Sequence, residues 1–195
     1  MSTSNPSKSC NPKKKIVDFP KLLTTLKYSL LTNKITPKAF RDALFEADQS
    51  TDDRRSSRYT YYFLKEPEIE NYFIKTEFKT DYLLLLSFTT FHYAQYAARY
   101  KRDQGMALEL FKESLSQRLQ MPESVLDLDS VLYVQATIAY FSADVAEMER
   151  LKCKMNPESD FSINISVIDR LIKGINTYRS VDYVRDYFGE EYSKC

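Results

Sequence analysis

His92, the cysteines Cys10, Cys153 and Cys195, and the arginines Arg54, Arg55 and Arg58 are the residues of this chain whose types best suit them to chemistry. His92 is the single imidazole and lies in the longest uncharged stretch, without the nucleophile and acid that would make it a catalytic base. It reads as a core histidine. The three cysteines are an odd number without CxxC or CxH spacing, which indicates a reducing compartment and no metal cage. Asp127-Leu128-Asp129 lacks the glycine and terminal glutamate of a calcium loop. Gly105, Gly174 and Gly189 stand apart, so neither a phosphate-cradling loop nor a dinucleotide fingerprint is present. No cofactor is expected. The chain reads as a non-catalytic protein, with an uncharacterised enzyme as the remotest alternative.

Charge points toward contact instead. The net charge of +1 conceals an asymmetry, because residues 1–58 carry 12 Lys/Arg against 6 Asp/Glu and residues 59–195 carry 16 against 21. Between Arg118 and Arg150, Glu123, Asp127, Asp129, Asp144, Glu147 and Glu149 occur with no basic residue among them, and are expected to form a docking surface for a protein or peptide partner. The alternative is a nucleic-acid-associated factor. Lys13, Lys14 and Lys15 would meet phosphates together with Arg54, Arg55 and Arg58, which directly precede Tyr59, Tyr61 and Tyr62, aromatic rings able to stack bases. A pI of about 7.6 weighs against it.

These residues need elements to position them. At 195 residues the chain is long enough for one domain with its own core. Residues 1–15 are Ser, Asn, Pro and Lys after Met1 and read as a disordered basic tail. Residues 16–195 read as one helical domain, with an N-terminal helical pair at 16–48, a polar loop at 49–58 and the main body at 59–195. Asp18 caps a first helix to Leu31, Thr36-Pro37 opens a second, and Glu66-Pro67 opens one reaching Ile74. Tyr82 to Ala98 is uncharged over 17 residues, but Ser87, Thr89, Thr90, His92 and Gln95 make it a buried central helix rather than a membrane span. It is expected to run from Thr80 to Arg102, with Gly105 breaking it. The next helix is expected to turn Leu108, Phe111, Leu115 and Leu119 inward.

Asp127 or Asp129, then Ser142 or Asp144, cap two further helices, the second carrying Val145, Met148, Leu151 and Met155. Residues 59–64 suit a strand as well as a short helix, and 161–167 alternate well enough to be a strand, although a helix continuing to Ile175 is favoured there. Ser180 is expected to cap a last helix, Val181 to Phe188, which Gly189 ends. No apolar run follows the basic N-terminus, so no secretory signal is read, and the cytoplasm is expected, or the nucleus in a eukaryotic cell.

Such a chain is all-α, built of irregular antiparallel helix pairs that form either a solenoid or a compact bundle. Phe91, Ala107, Phe111 and Ser114 give it a partial resemblance to the tetratricopeptide repeat. Phe91 matches the aromatic of that repeat's first helix, and the other three match the small, aromatic, small spacing of its second. Gln95 and Ala98 stand where the repeat has Gly and Tyr, Pro122 comes three residues late, and the next pair follows at about 40 residues rather than 34. The resemblance covers residues 80–155. It implies a scaffold that holds a peptide or protein on a concave face.

Overall fold

The structure is a computed structural model and describes residues 18–49, 55–159 and 162–189. The tail at 1–15 with Lys13, Lys14 and Lys15, the residue Arg54, and Phe161 lie outside the described residues. Every described element is helical: α1 (Phe19–Leu31), α2 (Pro37–Gln49), α3 (Arg55–Leu64), α4 (Pro67–Ile74), α5 (Lys79–Tyr100), α6 (Gln104–Arg118), α7 (Leu128–Phe141), α8 (Val145–Lys152) and α9 (Ile163–Tyr178), closed by a π-helical segment, Val184–Phe188. No helix among the described residues is long and apolar enough to cross a membrane.

Most starts follow from a local cap. Asp18, Asp103, Asp127 and Asp144 each accept a hydrogen bond from the backbone N–H three residues on, and Thr36 Oγ1 accepts from Ala39 in the same way. Pro67 begins α4, where a missing N–H costs nothing. The expected helices at Asp18, Thr36, Glu66, Asp127 and Asp144 are therefore found at those positions.

The polar loop expected at 49–58 is corrected at its described residues, and both segments that could have been strands are helical. Residues 55–58 are already helical and lead directly into Tyr59–Leu64 as one helix, because Ser57, Tyr61 and Leu64 are buried at steps of four and three residues. Over its described residues FSINISV is helical from Ile163, the reading favoured above, since Val167, Ile168, Leu171, Ile172 and Ile175 bury one face of α9. Gly105 does not break α5. It lies inside the first turn of α6, and the reversal is made by Arg102 at φ 54°. Nor does Ser180 cap the last element. Asp182 Oδ1 accepts from the N–H groups of Val184 and Arg185, and Gly189 at φ 113° ends the segment as expected.

α6 also turns a different face inward. Ala107, Leu110, Phe111 and Ser114 are buried, Leu108 and Leu115 are half-buried, and Leu119 is exposed. Small residues allow α6 to lie close along α5, close enough for the Ser114 hydroxyl to donate to the Ser87 carbonyl at 2.7 Å. Phe91 meets Phe111 edge-on with ring centroids 5.0 Å apart.

Among the described residues two apolar clusters result, and α5 belongs to both. Its first half gives Tyr82, Leu85 and Leu86 to a cluster with Leu23, Leu26 and Leu30 of α1, Phe40 and Leu44 of α2, and Phe73 of α4. Its second half gives Phe91, Tyr93, Ala94, Ala97 and Ala98 to a cluster with α6, α7, α8, α9 and Tyr183. At 22 residues, α5 is about 33 Å long, enough to run through both.

Candidate functional site

α1 and α3 lie side by side and leave a groove of about 920 Å³ between them. Helical spacing sorts their side chains. On α1, Leu23, Leu26 and Leu30 point into the core, while Lys27, Tyr28 and Leu31 face the groove. On α3, Tyr59 and Tyr62 are three residues apart and share the outer face with Arg58. Tyr28, Tyr59 and Tyr62 remain 59%, 50% and 54% exposed, and Leu31 is exposed beside them. Apolar area of this kind, gathered in one concavity, characterises binding surfaces more than isolated surface residues.

The groove's polar groups are anchored. Lys27 Nζ donates to Glu66 at 2.6 Å and Glu68 at 2.8 Å, and these bonds raise its pKa and tie α1 to the start of α4. The Tyr62 and Tyr93 hydroxyls are 3.3 Å apart. Lys34 stands over the Tyr28 ring, 4.5 Å from its centroid. Phenol rings with ammonium and guanidinium groups between them suit an apolar peptide side chain next to a carboxylate.

The sequence-derived candidates are distributed unevenly. Arg58 lines the groove with Tyr59 and Tyr62, and Arg55 begins α3. Tyr61 is buried instead, its hydroxyl donating to Glu113 at 2.9 Å and accepting from Lys65 at 3.0 Å. Burial opposes the Lys65 charge, but the bonds to Tyr61 and Glu113 prevail and raise its pKa.

The acidic run is divided between the two ends of α7 and does not form one face. Asp127 caps α7 at one end, and Asp129, only 6% exposed, accepts the Asn156 N–H at 3.1 Å. At the other end, about 20 Å away, Asp144 caps α8, while Glu147 pairs with Arg150 and Glu149 with Lys152. Glu123 is exposed in the loop before α7. Tertiary packing and local capping occupy carboxylates that the linear run presented as free.

Two arrangements gave no signal in sequence. In the first, Asp186 is buried and takes a bidentate contact from Arg185, at 2.6 and 2.9 Å, and a 2.5 Å bond from the Tyr140 hydroxyl. That hydroxyl also accepts the Asp182 N–H at 2.9 Å. Burial, then the bond to Asp186, pushes the Tyr140 pKa well up. In the second, Arg118 is 8% exposed at the edge of a cavity of about 490 Å³ between the two clusters, with His92 among its lining residues. His92 is buried and edge-on to Phe88, ring centroids 4.1 Å apart. Among the described residues, no three His, Cys, Asp or Glu are gathered to hold a metal ion.

Comparison with protein families, with curated proteins and with solved structures found no match for this chain.

Proposed function

We propose that the chain is a non-catalytic helical scaffold that binds a protein or peptide partner, and that the α1/α3 groove holds it. The carrying observation is the exposure of Tyr28, Leu31, Tyr59 and Tyr62 in one concavity. An extended segment with bulky apolar side chains and an acidic residue fits best, its rings and aliphatic chains against the tyrosines and its carboxylate toward Arg58. The resemblance to the tetratricopeptide repeat supports a scaffold role, through the Phe91 to Ser114 pairing. It lies outside this groove. The same tyrosines beside Arg58 are what a single strand of nucleic acid would use, so the test separates the two ligands.

Panning a displayed peptide library against the full chain should enrich apolar, acidic sequences. In titrations of those peptides, Tyr59→Ser combined with Tyr62→Ser should weaken binding at least tenfold while the chain stays folded, the melting temperature falling only by the contacts that Tyr62 gives up with Tyr61 and Tyr93, because both side chains are half exposed. Absence of enrichment, or binding unaffected by the substitutions, overturns the proposal. Retention of a single-stranded oligonucleotide with no peptide enriched replaces it with the nucleic-acid reading.

A further inference from the structure

The cavity between the two clusters is a different kind of site. Phe88 and Phe91 of α5 and Tyr133 of α7 make an aromatic wall, and Arg118 at the end of α6 supplies a cation. Nη1 of Arg118 donates to Ser130 Oγ at 2.8 Å, its one hydrogen bond among the described residues, and Nε is buried with no partner. Burial pushes the guanidinium pKa down to about 10, Asp127 opposing that shift, so it stays charged at neutral pH. The Asp127 carboxylate already caps α7 through the Ser130 N–H at 2.8 Å.

A guanidinium held this deeply, with a single neutral hydrogen-bond acceptor and only the field of Asp127 from the cavity lining to offset its charge, is costly to a fold unless a further group compensates it. The edge left unused includes Nε, and arginine's planar fork takes a carboxylate with two parallel bonds. The cavity volume falls within the range of small-molecule sites, and its few polar groups stand against an apolar wall, as such sites require. We infer that the cavity binds an apolar carboxylate, its head group paired with Arg118 and its hydrocarbon body against Phe88, Phe91 and Tyr133. The inference is independent of the α1/α3 groove.

The experiment is a thermal melt and a calorimetric titration of the full chain with decanoate, alongside decan-1-ol and acetate. At a concentration about 100-fold above its dissociation constant, decanoate should raise the melting temperature by about 5 °C and bind with a stoichiometry of one. Decan-1-ol, of equal length without the charge, and acetate, with the charge alone, should each bind at least tenfold more weakly. Arg118→Met should remove the preference for decanoate over decan-1-ol. Val125 lies 54% exposed in the cavity lining, so Val125→Trp should preserve the fold and obstruct entry. If Arg118→Met does not fold, the decanoate to decan-1-ol ratio and Val125→Trp decide the matter. Equal binding of the two probes, no binding of either, uptake of several decanoates, or unaltered binding in Val125→Trp overturns the inference. Tyr59→Ser with Tyr62→Ser should leave decanoate binding unchanged, so this site and the groove fail or succeed separately.

Discussion

At its N-terminal end α5 meets leucines and phenylalanines, with Phe40 packed against Phe63 and Phe73, and Phe73 stacked on Tyr82. At its C-terminal end it meets tyrosines whose hydroxyls are built into the packing, Tyr140 on Asp186 and Tyr183 within reach of Gln95. The first cluster is held chiefly by volume and dispersion, with the Tyr82 hydroxyl donating to the Leu64 carbonyl at 3.0 Å. The second carries buried phenols and a buried carboxylate bonded to one of them, so its stability also depends on geometry at hydrogen-bond resolution. Two halves of one helix thus serve cores with different sensitivities.

Alkaline pH should expose that difference most. Burial raises the pKa of Tyr61, Tyr93, Tyr133 and Tyr140 of the second cluster above the ordinary value of 10.0, against Tyr82 of the first, and Asp186 adds to the effect at Tyr140. The contribution of such groups is fully present below pH 10 and is lost as pH climbs from there toward their folded values, because the unfolded chain releases protons that the native one retains. Each phenol held neutral forfeits up to about 1.4 kcal/mol per pH unit. Urea midpoints measured from pH 9 to 11 should fall steeply, and Tyr140→Phe should make the decline shallower by one proton.

Phe40→Ala should have the next largest effect, a loss of about 4 kcal/mol in urea unfolding at pH 7, because a fully buried ring leaves a cavity. Its alkaline slope should match that of the parent chain. An altered slope would mean that the two cores do not differ as described.

Gly174→Ala is the smallest of the three changes and acts on the second core alone. An added Cβ would stand 2.2 Å from Asp186 Cγ, and the Asp186 side chain is fixed by Tyr140 and Arg185. Overpacking outweighs the gain in helix propensity of about 1 kcal/mol. A net loss of about 2 kcal/mol is expected in the same urea experiment, and a stabilised variant would show that Asp186 is free to move.

Local signals in the sequence were legible wherever a residue acts on its near neighbours. Asp18, Thr36, Pro67, Asp127 and Asp144 mark helix starts through bonds spanning three residues or through the missing N–H of proline, and the all-helical class followed from them. What depended on distant partners was not legible. The inward face of α6 is chosen by Ala107 and Ser114 against α5, although its leucines form a more apolar stripe. Asp129 reads as a surface acid until the chain returns at Asn156. Of the groove, Arg58, Tyr59 and Tyr62 were visible as a basic and aromatic run, but Tyr28 and Leu31 joined them only through the packing of α1 on α3. Arg118 looked like the boundary of an acidic stretch, and nothing in its neighbourhood along the chain reveals that it is buried.

The passage of α5 through both cores also bears on how the chain can evolve. Tyr82 and Phe91 lie in different clusters, only nine positions apart on one rigid rod, so a shift that accommodates a new side chain at one end is transmitted to the other. Neither half can drift freely, and substitutions tolerated in one lineage's leucine core should constrain which aromatic residues its descendants keep in the other.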